Sequence, residues 1–356
     1  MKKVHIDINN KTILVTGSPG FIGASLVLQL LKTMDSGTII SLDSMNNHYD
    51  LKLKRYRLSL IEKATLLSPV NHIFIQGNIA DQKFLEQVFF KYQPSIVVNL
   101  AAQTGVRDSI NHPMAYIENN ILGFFNVLET CRHNPVEHLV YASSSSVYGT
   151  NKKLPFSIED SVDSPVSLYA ATKKSNELLA HCYAKLYNIP STGLRLFSVY
   201  GPAGRPDMFF FNTTEKILSG EKFQIYNYGN CKRDFTYISD VVESVIRIMQ
   251  GAPEKKLGED GLPLPPYDVY NIGYGTPLNL LDTIIILQNE LIHAGLLPSN
   301  HDFKAHWDFI GMQPGDIPIT YADNNKLKND YGYRPTTNIQ TGLRSFVEWY
   351  KEYRKF

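Results

Sequence analysis

Ile13-Leu14-Val15-Thr16-Gly17-Ser18-Pro19-Gly20-Phe21-Ile22-Gly23 is the stretch that decides the fold. A short apolar, β-branched run leads into Gly17, Gly20 and Gly23, and Leu26, Leu30 and Leu31 follow at helical spacing. The order is strand, glycine turn, helix. Glycines also make plain loops. A turn in this position, however, lets the backbone approach a pyrophosphate while the helix start supplies N–H groups and a partial positive charge.

Outward from the turn, Ile39-Ile40-Ser41-Leu42-Asp43 reads as a second strand. It ends in an acid about twenty residues past the last glycine, where a carboxylate accepts hydrogen bonds from an adenosine ribose. No arginine follows that acid at once, so a 2′-phosphate is repelled and NAD is favoured over NADP. The unit repeats, with strands expected at 73–75, 96–98 and 138–141 and helices at 83–91 and 115–132. Continuously apolar strands alternating with helices predict the α/β class: a Rossmann-type doubly wound parallel sheet covered on both faces. Asn99-Leu100-Ala101-Ala102-Gln103 and Ser143-Ser144-Ser145-Ser146 then leave the carboxyl ends of two strands, where such sheets place their ligand.

Beyond Leu194 the rhythm loosens into glycine-, proline- and aromatic-rich segments. A sixth strand is expected at 195–198, a loop at 200–207 and an extended segment at 223–228. The expected organisation is a nucleotide-binding domain over 1–198, with 236–250 and 268–275 returning to it, and a smaller C-terminal substrate-binding lobe over 199–356. The amphipathic helix at 343–350 reads as structural.

The chain has 356 residues, a hydrophobic content of 43% and a formal charge of +1. That balance fits a globular protein and offers no basic face for nucleic acid. Cys131, Cys182 and Cys231 are widely spaced, which suits neither a disulfide framework nor a metal site. Met1 to Asn10 contain no apolar signal core, and no run is long and apolar enough for a membrane span. A cytoplasmic protein without a metal is expected.

Tyr169-Ala170-Ala171-Thr172-Lys173 puts a phenol and an ammonium on one helical face. A tyrosine titrates near about 10, so it serves as a base near neutrality only where a cation stabilises the phenolate. Lys173 is the candidate cation. Ser144, at the end of a strand, can converge with both above the sheet, making a catalytic constellation.

With these pieces in place, the chain resembles the extended short-chain dehydrogenase/reductase family, and more narrowly its nucleotide-sugar 4-epimerases of the UDP-glucuronate type. The resemblance rests on the glycine turn, Asp43, 99–102, Ala101-Ala102-Gln103-Thr104-Gly105-Val106-Arg107, the Ser-Ser-Val-Tyr-Gly run ending at Gly149 and the Tyr169/Lys173 pair. It extends through Tyr200-Gly201-Pro202-Ala203-Gly204-Arg205-Pro206-Asp207-Met208, Arg233-Asp234-Phe235-Thr236-Tyr237-Ile238 and Gln313-Pro314-Gly315-Asp316.

The resemblance implies NAD held by Gly17, Gly20, Phe21, Ile22, Gly23, Asp43, Asn78, Ile79, Leu100, Ala101, Ala102 and Gln103 together with Tyr169 and Lys173. It implies a UDP-sugar met by Arg107, Ser144, Ser145, Ser198, Arg205, Ile225, Tyr226, Arg233 and Asp316. Ser198 is expected near a uronate carboxylate, Arg205 and Arg233 on the phosphate side, and Ile225 and Tyr226 beside the uracil. A guanidinium such as Arg233 bonds two phosphate oxygens at once, the alternative being a surface ion pair with Asp234. Two departures from the family pattern stand out: Pro19 inside the turn, which removes a backbone donor, and Asn78, where an aspartate is usual.

The implied chemistry removes the proton of a sugar 4-hydroxyl through Tyr169, assisted by Ser144, while Lys173 lowers the tyrosine's pKa and holds the nicotinamide ribose. A transient 4-keto sugar then takes its hydride back on the other face. Ser145 and Ser146 stand where decarboxylating and dehydrating relatives carry acids, and serines cannot serve as the acid and base of water elimination. UDP-glucuronate to UDP-galacturonate is the leading reading. A neutral UDP-hexose epimerase, a decarboxylase and an idle NAD(H)-binding sensor remain as alternatives. A homodimer through the helices at 115–132 and 168–186 is expected from the resemblance.

Overall fold

The computed structural model describes residues 3–48, 50–313 and 315–355, so Met1, Lys2 and the Pro314 of the last motif lie outside the described residues. Among them, seven strands form one parallel sheet: β1 (Thr12–Thr16), β2 (Thr38–Asp43), β3 (Asn71–Gln76), β4 (Ile96–Asn99), β5 (His138–Ser144), β6 (Ser191–Leu196) and β7 (Tyr267–Ile272). Across the sheet they run β3, β2, β1, β4, β5, β6, β7, so the order reverses between β1 and β4. Doubly wound sheets open a ligand crevice at such a reversal.

Both faces are covered because successive strand residues point to opposite sides. Ile13 and Val15 pack with helices α1 (Phe21–Thr33) and, later in the chain, Ile238–Met249. Leu14, between them, faces the opposite layer with Leu85, Val88 and Phe89. Helix α2 (Leu51–Thr65) links β2 to β3 and has no counterpart in the sequence expectation. Helix α3 (Gln82–Tyr92) precedes β4, as expected.

The long helix expected at 115–132 forms, running in helical conformation from Pro113 to His133 with one wide turn inside it. Pro113–Tyr116 is a single turn, Ile117–Leu122 is a π turn, and α4 is Gly123–His133. The wide turn lets Asn120 reach inward: its Oδ1 accepts from the Gln103 N–H (2.8 Å), and its Nδ2 donates to the Gln103 carbonyl (3.0 Å) and Thr172 Oγ1 (3.0 Å). Such π turns concentrate where a side chain must be re-aimed.

Helix α5 (Leu168–Tyr187) starts where Ser167 Oγ accepts from the Ala170 N–H at 3.1 Å, an N-cap. One face of it carries Tyr169, Lys173 and Glu177. Arg195 on β6 donates to Glu177 through Nε (2.9 Å) and Nη2 (2.8 Å), and Ser143 on β5 donates to the same carboxylate at 2.6 Å. Both charged groups are buried, so each needs the other.

The expected sixth strand at 195–198 also differs. β6 ends at Leu196, and Ser198–Tyr200 leaves the sheet to pair in parallel with Phe235–Tyr237. The expected extended segment at 223–228 is a strand only over Phe223–Ile225, paired with Trp307–Phe309. Its continuation turns at Asn227 and Tyr228, both left-handed. A second core of Phe210, Phe211, Ile284, Leu287 and Phe346 sits under this region, with helix Ile339–Tyr353 closing it. Among the described residues no helix is long and apolar enough to cross a membrane.

Removing either partner of the Arg195–Glu177 pair strands a buried charge. Glu177→Ala and Arg195→Ala should each lower the urea unfolding free energy by about 3–5 kcal/mol. The double substitution should cost well under their sum. Additive losses would show that the two groups do not act as a unit.

Candidate active site

A cleft of about 840 Å³ opens above the carboxyl ends of β1, β2, β4 and β5. Every residue expected to hold the cofactor lines it. The turn after β1 is shaped for a close approach: Gly17 has φ +71°, and a Cβ there would lie 2.7 Å from the Ala101 N. No side chain caps the start of α1 at Gly20, so its first N–H groups face the cleft with the helix dipole. Asp43 lies at the end of β2. Its Oδ1 accepts from the Met45 N–H (2.7 Å) and from Lys54 Nζ (3.2 Å), and Lys54 also reaches Asn46 Oδ1 at 2.9 Å. Asn78 Oδ1 accepts from the Ala80 N–H at 3.0 Å, a local turn that leaves the residue on the cleft wall. A backbone cradle without Cβ atoms, an uncapped helix start and an acid one strand over together fit a dinucleotide.

Tyr169, Lys173 and Ser144 converge in the same cleft. Ser144 Oγ accepts from the Ser146 N–H (3.2 Å), and its one proton is shared between Ser146 Oγ, 3.1 Å away, and the Tyr169 oxygen. Burial raises the Tyr169 pKa, while the Ser144 bond and the positive charge of Arg205 act against that rise. Arg205 is thus a second cation acting on the phenol beside Lys173, the one the sequence marked. The ammonium of Lys173 lies 5.9 Å from the tyrosine ring centre and donates to the Ala142 carbonyl at 2.8 Å. Burial lowers its own pKa to about 8.

Tyr116, which no spacing in the sequence marks, packs edge-on against Tyr169 with ring centres 6.2 Å apart. Its hydroxyl lies within hydrogen-bond distance of the Thr104 and Gly105 carbonyls and Asp108 Oδ2, which fixes the loop after β4. Lys54 and Arg57 were also missed. They sit one turn apart on α2, whose pattern of Leu53, Arg57 and Ile61 on one buried face was the available signal.

On the far side of the cleft, Arg107 stacks 3.9 Å over the Tyr226 ring and donates to Asp316 Oδ2 at 2.9 Å. Arg205 lines the cleft and makes a two-point pair with Asp207, both contacts 2.9 Å. Arg233 lines the cleft and donates to the Lys232 and Pro318 carbonyls. Its neighbour Asp234 turns inward to accept from the N–H groups of Tyr274 (2.7 Å), Gly275 (3.0 Å) and Ala322 (2.9 Å). The carboxylate thus serves the backbone, and burial raises its pKa to about 6.

Of the expected site residues, two lie off the main cleft. Ser145 lines a smaller recess of about 210 Å³ with Ser198, Arg233 and Asp316. Ile225 points into the core beneath the second region, whereas Phe223, Gln224 and Tyr226 around it reach the cleft. A strand alternates its faces, and Ile225 falls on the inward one.

The pattern described as the NAD dependent epimerase/dehydratase family matches residues 13–273. Protein CapI of Staphylococcus aureus is 45% identical over 349 residues, covering 96% of this chain and 99% of CapI. UDP-glucuronate 4-epimerase 4 of Arabidopsis thaliana is 41% identical over 352 residues, covering 97% and 76%. Among solved structures, UDP-glucuronic acid 4-epimerase from Bacillus cereus, in complex with UDP-glucuronic acid and NAD, superposes with a TM-score of 0.81. It is 31% identical, covering 96% of this chain and 99% of that one.

Lys173 gives a test of the electrostatics. Its folded pKa of about 8 lies below the ordinary lysine value of 10.5, so the unfolded chain binds more protons between the two. The burden is fully present below pH 8 and is relieved as pH rises toward 10.5. Relative to Lys173→Met, the unfolding free energy of the unsubstituted protein without added ligand should gain on the order of 3 kcal/mol across that window. Parallel curves for the two proteins would mean that the ammonium is not desolvated.

Proposed function

The chain belongs to the NAD dependent epimerase/dehydratase family and is an NAD-dependent nucleotide-sugar epimerase, and on that premise we propose that it interconverts UDP-glucuronate and UDP-galacturonate. The observation that carries the uronate is the recess beside Ser144. Ser145 and Ser198 line it and offer two hydroxyls to a carboxylate, and the Asp316 carboxylate on the same wall is already paired with Arg107. The Arabidopsis and Bacillus relatives, whose names specify glucuronate, support the same substrate.

In this reading the turn from Gly17 to Gly23 holds the pyrophosphate and Asp43 the adenosine ribose. Bound NAD supplies reversible hydride exchange at C4 of the sugar. Tyr169 takes and returns the proton of the 4-hydroxyl, and Ser144 steadies that oxygen through the bond it already makes to the phenol. Arg205 favours the phenolate by charge. Lys173, buried and held to the Ala142 carbonyl, is placed toward the ribose side. Arg233 and Arg107 meet the diphosphate and Tyr226 the uracil.

The 4-keto form of a uronate is a β-keto acid, which loses carbon dioxide when the C5–carboxylate bond aligns with the carbonyl π system. Holding the carboxylate in the recess keeps it out of that alignment. Ser145 and Ser146, in place of acids, leave no group for elimination at C5 and C6.

The protein acts as a cytoplasmic homodimer. Leu122 and Phe125, on and just before α4, and Leu178 and Leu186 on α5 are exposed apolar side chains on the same layer. Paired helices of two copies would cover them.

Incubation with UDP-glucuronate should yield UDP-galacturonate without carbon dioxide, and UDP-glucose should stay unchanged. Turnover of the neutral sugar alone, or release of carbon dioxide, would overturn the assignment. Tyr169→Phe should lower kcat by about 10²–10⁴-fold with little change in Tm, and survival of turnover within a few-fold would remove Tyr169 from the role of base. Replacing both Phe125 and Leu178 by Glu should give a monomer in sedimentation; an unchanged mass would place the interface elsewhere.

A further inference from the structure

Arg57 has no part in the chemistry above, yet it is among the largest fully buried side chains of the molecule. It reaches from α2 to two loops that never meet in sequence. Nη1 donates to the Pro19 carbonyl at 3.1 Å, inside the glycine turn. Nε and Nη2 donate to the Ala203 carbonyl at 3.0 and 2.7 Å, and Nη2 also to the Gly204 carbonyl at 3.2 Å. Ala203 is held at φ 57°, a conformation that a residue with a Cβ adopts only under local constraint. Two residues on is Arg205, whose charge acts on Tyr169.

We propose that Arg57 is a positioning residue that couples the cofactor turn to the loop at 200–207, so that NAD and the UDP-sugar each tighten the binding of the other. A planar guanidinium with donors in a fixed fork can hold both carbonyl sets in one geometry, whereas a lysine ammonium on a flexible stem cannot. A dinucleotide that orders the turn around Pro19 therefore orders the Ala203–Gly204 carbonyls through the same group, and with them the position of Arg205. Coupling of this kind is reciprocal in binding free energy. The inference rests on the reading that the loop at 200–207 serves the nucleotide sugar.

The test measures the NAD dissociation constant with and without saturating UDP. In the unsubstituted protein UDP should tighten NAD by about 5–150-fold. In Arg57→Lys and Arg57→Gln the factor should fall to within twofold of none, while both ligands still bind. A factor unchanged by these substitutions overturns the proposal. Should neither variant fold, hydrogen exchange on the unsubstituted NAD-bound protein decides: adding UDP should slow the amides of 17–23 as well as those of 200–207. Protection confined to 200–207 overturns it. UDP that binds without altering NAD affinity removes the coupling alone, whereas UDP that does not bind removes the substrate reading and the coupling with it.

Discussion

One buried carboxylate decides where the reactive side chains stand. Glu177 lies two turns along α5 from Tyr169 and one from Lys173, on the same face. By pairing with Arg195 on β6 and accepting from Ser143 on β5 it sets both the rotation and the height of that helix above the sheet. Ser143 immediately precedes Ser144, so the same contact that orients the helix also places the serine that bonds to the phenol. An ion pair out of water is weak support for stability but strong support for geometry, because the charge has only one acceptable partner.

The second constraint is the reversal of strand order between β1 and β4. The glycine turn and the Gln103–Arg107 segment, from the loops after those strands, both line one cleft. Asn120, freed by the π turn, ties the second wall to α5 through Gln103 and Thr172. Cofactor wall and catalytic helix are thereby one hydrogen-bonded unit, and Arg57 extends that unit to the loop carrying Arg205.

Much of this was legible in the residues. The glycine turn, the acid at Asp43, the Ser144 run and the Tyr169/Lys173 spacing are local patterns, each read within one strand, turn or helix. Gly17, Gly20, Gly23, Asp43, Ser144, Tyr169 and Lys173 all line the cleft. What the residues did not show was non-local. The helix expected at 115–132 forms but widens into a π turn at Ile117–Leu122, where Asn120 has a partner seventeen residues earlier in the chain, at Gln103. Ile225 carries the right composition for a ligand wall but falls on the inward face of its strand, which depends on register with Trp307–Phe309. The pairing of Arg205 with Asp207 and the action of its charge on Tyr169 are likewise seen only in the fold.

The amino-acid sequence by itself determined the class of the fold and the identity of the reactive groups, because hydrophobic period, glycine spacing and i, i+4 placement act over a few residues. Tertiary structure decided that the charge of Arg205 also acts on the phenol, which serine lines the side recess and which arginine holds two loops together. Those outcomes depend on distances between segments a hundred or more residues apart, such as Arg57 and Ala203, or on the shape of the cleft that such contacts build. The glycine turn quoted at the outset announces a dinucleotide fold, and the contact of Arg57 with its Pro19 carbonyl is what joins that turn to the rest of the site.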